Sequence, residues 1–105
     1  MSGVLIKAWG AVSVAYAGGV PSISKQNGVA DSVADTGVGV ATITLDGGGI
    51  DESECYCTAT PKGTGDAMCV VEHTSDTVKV VRVFDADGAA LDADFDLLIF
   101  TYGSN

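Results

Sequence analysis

The sequence predicts an all-β protein: an antiparallel β-sandwich, jelly-roll or immunoglobulin-like, with about eight short strands in one domain spanning residues 1–105. Three observations support this prediction. Short runs rich in Val, Ile, Thr and aromatic residues recur at even spacing, separated by Gly, Pro, Asn and Asp turns. No stretch has the apolar period of a helix. Good helix formers are scarce, whereas glycine supplies 14 of the 105 residues.

The first half of the chain is expected to supply the opening strands. The predicted strands are Val4–Trp9, Ala11–Tyr16 (a continuation, or a second strand after Gly10), Val20–Gln26, Val29–Asp35 and Val38–Asp46. Gly18-Gly19 and Asn27-Gly28 are turn dipeptides. The opening segment could be mistaken for a signal peptide. However, no basic residue precedes its apolar part, Lys7 interrupts it, and the alternation after Gly10 favours strands.

The second half is expected to form strands over Glu54–Thr60 and Ala67–His73, with loops at Gly47–Ser53 and Pro61–Asp66. Two further apolar runs, within Thr77–Tyr102, flank an acidic, Gly/Ala-rich connector. The turn signal Asp85-Ala86-Asp87-Gly88 predicts that these two runs form a hairpin.

The last two strands are apolar on both faces, which a small isolated sandwich does not require. One face would join the core, and neighbouring subunits would best cover the other. The residues predicted for this oligomer interface are Val81, Val83, Leu98, Phe100 and Tyr102. The alternative is that both runs are simply central strands with mixed exposure.

Charge limits the classes of partner. The chain carries 14 acidic and 5 basic residues, a net charge of −9. Such a chain repels phosphate backbones and anionic membrane surfaces, so neither nucleic acid nor membrane is expected as a partner. No run is long enough to span a bilayer.

Catalytic chemistry has few candidate residues, and we predict neither an enzyme nor a cofactor. The single histidine, His73, has the same strand parity as Cys69, and together with Cys55 and Cys57 it could supply four zinc ligands. However, Cys-x-Cys on a strand is not the spacing of a zinc knuckle, which favours buried thiols and a surface histidine at a strand end. A Cys–His nucleophile pair lacks any third, orienting group.

The cysteines and the acidic connector each leave two interpretations. Cys55 and Cys57 are too splayed along one strand to bridge each other easily, whereas Cys69 on the next strand could oppose either of them. Three reduced thiols of a protein made in a cytoplasm are the simpler interpretation. The connector carries five aspartates that could bind calcium, but its spacing departs from known calcium loops. A solvated loop with backbone-capping carboxylates is favoured, and the residues concerned are Asp85, Asp87, Asp92, Asp94 and Asp96.

Several segments resemble the small β-modules of tailed-bacteriophage virion proteins, which occur in tail fibres and related surface appendages. The resemblance rests on Ile6-Lys7-Ala8-Trp9, on the strand–turn–strand pattern of residues 22–39 leading into Val40-Ala41-Thr42-Ile43-Thr44-Leu45, and on residues 83–100. These motifs cover nearly the whole chain and are structural in character, so they carry over no catalytic residues.

The resemblance implies a non-enzymatic sandwich that commonly trimerises, lies on a virion surface and contacts other virion proteins. The chain departs from the pattern in its three cysteines and in the lack of a long stalk or further domain. The second departure favours a capsid-decoration protein, a head fibre or a small tail-fibre component over a complete tail fibre. The alternative is a module that binds a host receptor or glycan through its loops, and an exposed Trp9 or Tyr56 at one rim would favour that alternative.

Overall fold

The computed structural model describes residues 4–27, 30–45, 55–62, 67–75 and 77–104, and the side chains of residues 10–27, 30–45, 56–62, 67–75 and 77–100. These residues form strands and no helix, which confirms the predicted all-β class. The strands are β1 (Val4–Ala17), β2 (Val20–Gln26), β3 (Ala30–Gly37), β4 (Val40–Leu45), β5 (Cys55–Pro61), β6 (Ala67–His73), β7 (Val78–Asp85) and β8 (Phe95–Ser104). The predicted Gly47–Ser53 loop and residues 63–66 of the Pro61–Asp66 loop lie outside the described residues.

The strands form two antiparallel four-stranded sheets that pack against each other as a β-sandwich, as predicted. The first sheet has the order β2-β1-β8-β5, and the second has the order β3-β4-β7-β6. Strand β1 continues through Gly10, so the two segments predicted at the N-terminus are one element. It reverses into β2 at Gly18 and Gly19, whose φ angles of 59° and 80° suit a tight hairpin turn that glycine adopts without strain.

The predicted β7–β8 hairpin is wrong. Strand β7 pairs with β4 and β6, whereas β8 pairs with β1 and β5 in the other sheet. The acidic connector therefore crosses from one sheet to the other. A turn dipeptide predicts that the chain reverses, but it does not determine whether the next strand pairs beside the previous one or packs opposite it.

The core lies between the sheets, where alternate residues of each strand point inward. The buried apolar residues are Val12, Val14, Ala30, Ala41, Ile43, Leu45, Val81, Val83, Phe95, Leu97 and Ile99. Val81 and Val83 were predicted in the oligomer interface, but both are completely buried within the single chain. Strand β7 has two apolar faces, and the face that carries Val81 and Val83 points toward the opposite sheet.

The β7–β8 connector packs on the turn between β3 and β4. The Gly39 carbonyl accepts a hydrogen bond from the Val83 amide at 2.8 Å, and the Gly39 amide donates to Asp92 Oδ1 at 2.7 Å. The Leu91 amide donates to the Val83 carbonyl at 3.0 Å. Gly39 has a φ of 68° and is buried, so this close contact between backbones requires a residue without a side chain.

Candidate interaction surfaces

An aromatic patch, defined as Tyr56, Leu98 and Phe100, lies on the outer face of the first sheet. Tyr56 on β5 pairs with Phe100 on β8. Their rings stack with centroids 5.9 Å apart and planes 24° from parallel. Leu98 lies on the same face of β8, and the exposed fractions of Tyr56 and Leu98 are 49% and 44%. Half-exposed apolar groups in contact form a surface suited to binding another molecule.

The alternation of β8 explains the patch. Phe95, Leu97 and Ile99 point into the core, so Leu98 and Phe100 must point outward. The structure therefore brings together two of the residues predicted for the oligomer interface. The Tyr102 side chain lies outside those that are described.

The backbone pairing of the first sheet places Trp9 opposite Phe100. Positions 9, 100 and 56 therefore follow one another across three adjacent strands. The Trp9 side chain lies outside those that are described. Sequence reasoning did not include Tyr56 in the oligomer interface, because the pairing of β5 with β8 joins strands that are far apart in the chain.

A groove of about 330 Å³ lies beside the patch on the same sheet. It is lined by Ala11, Val12, Ser13, Thr60, Asp96 and Leu98. Asp96 Oδ1 accepts a hydrogen bond from the Ser13 hydroxyl at 2.6 Å and lies 3.4 Å from Lys62 Nζ. Polar groups that could orient a ligand are therefore next to an exposed apolar surface.

The outer face of the second sheet is also apolar near β6. Met68 and Val70 are 52% and 51% exposed, and the neighbouring β7 adds half-buried Phe84. Arg82 forms an ion pair with Glu72 at 3.2 Å on this face. Both side chains are largely in water, so the pair contributes little to stability.

At one end of the sandwich, β7 turns a lysine inward. The Lys79 side chain is completely buried. Its Nζ donates a hydrogen bond to the Ser75 carbonyl at 2.8 Å and lies 2.8 Å from His73 Nδ1. A pocket of about 180 Å³ here is lined by Tyr56, Cys57, Val71, His73 and Lys79. A buried ammonium is tolerated only with such partners, and the contact with His73 ties the end of β6 to β7.

Cys69 does not lie beside Cys55 or Cys57 in a strand pair, because β5 and β6 belong to different sheets. Cys57 and Cys69 are half-buried and packed against the core. Burial raises the pKa of the Cys69 thiol, which favours the protonated, unreactive form. His73 is exposed at the end of β6, as the simpler interpretation held. The Cys55 side chain lies outside those described.

The aspartates of the connector bind backbone groups. Asp85 Oδ1 accepts hydrogen bonds from the amides of Asp87 at 2.9 Å and Ala89 at 3.0 Å. Asp94 Oδ1 accepts one from the Tyr16 amide at 2.8 Å. These carboxylates cap donors where the chain crosses between sheets. In the part of the chain that the structure describes, no three His, Cys, Asp or Glu side chains are placed to hold a metal ion.

Tyr16 is the most perturbed titratable group that the structure describes. Burial of the phenol raises the pKa of Tyr16 to about 12, and the nearby charges of Asp92, Asp35 and Cys69 act in the same direction. Its hydroxyl is buried and has no hydrogen-bond partner among the described residues. The side chain packs against the core, so its low acidity follows from packing between the sheets.

Comparisons with protein-family models, with curated proteins and with solved structures give no match. Among the described residues no helix is long and apolar enough to cross a membrane. The functional proposal therefore depends on the surfaces of this chain and on the expectation drawn from its sequence motifs.

Proposed function

We propose that the chain is a non-enzymatic structural protein of a bacteriophage virion. In this proposal it is exposed on the particle as capsid decoration, a head fibre or a small tail-fibre component. It is made in the host cytoplasm and assembles there into the virion. Its partners are copies of itself, in a trimer, and other virion proteins.

The observation that carries this proposal is the aromatic patch. The patch exposes apolar surface at Tyr56, Leu98 and Phe100. Elsewhere, the net charge of −9 makes copies of the chain repel each other. Burying such a patch between subunits removes apolar surface from water, which is the dominant favourable contribution to most protein association. The polar chemistry described above also supports a structural role, because the connector carboxylates and Lys79 hold parts of the fold together.

The oligomer is tested by the mass of the protein in solution, measured by light scattering. We expect three times the 10.6 kDa of one chain. Replacing Leu98 with lysine places a charge in the patch and should dissociate the trimer. Replacing Val38, which is 65% exposed on the β3–β4 turn, with lysine should leave the trimer intact.

The location is tested on the particle itself. An antibody against the chain should label the head or tail of purified virions in immunogold electron microscopy. Imaging virions that lack the protein should show which appendage disappears. Labelling confined to material that is not associated with virions would contradict the proposal.

A second candidate is a receptor- or glycan-binding module that mediates adsorption to the host. The observation that favours it is the exposure of Tyr56, because a stacked aromatic ring beside a groove with polar groups suits a sugar ring. Binding to a glycan array that is lost in Tyr56→Ala, while the trimer persists, would favour this second function.

A further inference from the structure

Strand β6 lies at an edge of the second sheet, and most of its residues are uncharged. Each of the two sheets described has two outer strands: β2 and β5 in the first, β3 and β6 in the second. An edge strand presents unpaired backbone donors and acceptors, which can pair with another chain. Natural sheets therefore protect their edges with proline, charge, bulges or covering segments.

Three of these edges carry such protection. Strand β2 contains Pro21 and Lys25, and its pairing with β1 has a register shift. Strand β3 contains Asp31 and Asp35, and its pairing with β4 shifts register twice. Strand β5 is uncharged and pairs with β8 in continuous register, but it ends at Pro61, which has no backbone amide to donate to a further strand. Each of these features hinders the addition of a further strand.

Strand β6 carries none of these features over most of its length. It pairs with β7 in continuous register from Ala67 to His73, and it contains no proline. Its first five residues, Ala-Met-Cys-Val-Val, are uncharged. Met68 and Val70 are each about half exposed on the outer face. On the side that faces the core, Cys69 and Val71 are only half-buried. A strand added at this edge would therefore cover apolar side chains on both faces of β6.

We propose that β6 pairs with β6 of a second copy of this chain, antiparallel about a two-fold axis through Val70. In this register Val70 faces Val70 of the second copy, Met68 faces Glu72, and Cys69 faces Val71. Like charges do not face each other, because Glu72 is the only acidic residue of the strand and lies opposite a methionine. The β3-β4-β7-β6 sheets of the two copies then form one continuous sheet.

Charge favours a second copy at this position over the edge formed by β3. Two chains of net charge −9 repel each other, and the repulsion is smallest where the approaching surfaces are uncharged. The uncharged segment of β6 meets that condition, whereas β3 would bring aspartates together. The contact lies on the other sheet from the aromatic patch and does not depend on the proposed trimer.

The size of the contact predicts a weak dimer. Seven residues at about 3.3 Å each give a strand of about 23 Å, and a two-layer sandwich is roughly 20 Å thick with its side chains. The edge therefore buries on the order of 500 Å² per partner, below the approximately 800 Å² of a standard interface. A dissociation constant in the micromolar range is expected.

The first test is sedimentation velocity over a range of concentrations, in a Leu98→Lys background that removes the patch contact. Val70→Lys adds a charge to the edge at a half-exposed position, so the fold should tolerate it. We expect Val70→Lys to weaken dimerisation at least tenfold, and Val38→Lys to leave it unchanged. Equal dimerisation of the Val70→Lys and Val38→Lys proteins would overturn the proposal. A trimer that is absent even without Leu98→Lys would count only against the proposed function.

The second test measures the register by disulfide trapping in a background where Cys55, Cys57 and Cys69 are serine. Val70→Cys places two thiols across the two-fold axis, close enough to bridge. Met68→Cys, equally exposed, places its two thiols about 13 Å apart along the strand. The Val70→Cys protein should form covalent dimers under mild oxidation, whereas the Met68→Cys protein should not. Equal cross-linking of both, or none in the Val70→Cys protein, would contradict the pairing.

Discussion

Replacing Gly39 with alanine tests the packing of the β7–β8 connector on the β3–β4 turn. A Cβ at this position would lie 2.7 Å from both the Leu91 amide nitrogen and the Val83 carbonyl oxygen. Both are backbone atoms in hydrogen bonds that hold the connector. Neither can move away from the new Cβ without weakening those hydrogen bonds. The φ of 68° adds strain for any residue with a side chain.

The expected magnitude follows from these two costs. Left-handed backbone costs an alanine about 1–2 kcal/mol. A methyl group forced into closely packed surroundings typically costs a further ~1–3 kcal/mol. Gly39→Ala should therefore lower the free energy of unfolding by about 2–5 kcal/mol, a large share of the ~5–15 kcal/mol of a typical domain.

Gly18 offers a matched control. Its φ is 59°, but a Cβ there would meet no atom within 4 Å. Gly18→Ala should therefore cost only the backbone strain, about 1–2 kcal/mol. Urea denaturation followed by circular dichroism gives both values. If the two variants are equally destabilised, the connector does not pack on Gly39 as described.

Three further variants, two of them with a matched control, test the core, the connector and the buried phenol of Tyr16. Leu97→Ala should cost about 2–5 kcal/mol because the side chain is completely buried, whereas Leu98→Ala should lower monomer stability by less than about 1 kcal/mol. Asp85→Ala removes the acceptor of two backbone amides and should cost about 1 kcal/mol, whereas the exposed Asp87→Ala should change stability by less than ~0.5 kcal/mol. Tyr16→Phe removes a buried, unpaired hydroxyl and should stabilise by about 1 kcal/mol at neutral pH. Because the pKa of Tyr16 is raised from 10.0 to about 12, the folded state resists ionisation. The free energy of unfolding therefore falls as the pH rises from 10 toward 12. The Tyr16→Phe protein has no phenol to ionise at this position, so its stability should fall less over that range. Denaturation of each variant at matched pH provides the measurement, and a destabilised Tyr16→Phe would contradict the description of the phenol.

The sequence predicted strand positions well because alternation and turn residues are local signals. Strands β2 and β6 have their predicted bounds, and β5 lies within one residue of its predicted bounds. The pairing of distant strands could not be predicted in this way. The pairing of β5 with β8 and the separation of β7 from β8 into different sheets depend on packing between segments far apart in the chain.

The residues predicted for the oligomer interface show the same limit of local sequence signals. The outward face of β8 was predicted correctly, and Leu98 and Phe100 lie on it. The outward face of β7 was predicted incorrectly, because both faces are apolar. Lys79 shares the inward face with Val81 and Val83, and its partners at the end of β6 and in the following turn make that burial possible. Alternation alone cannot identify an inward-pointing lysine, since its hydrogen bonds arise only in the folded chain.

The most direct test of a self-associating structural protein is the mass of the purified chain by light scattering, compared with that of its Leu98→Lys variant. We predict a trimer for the original chain and a lower mass for the variant, with both folded by circular dichroism. An original chain that remains at the 10.6 kDa of a monomer up to high concentration would contradict both the trimer and the role of the aromatic patch.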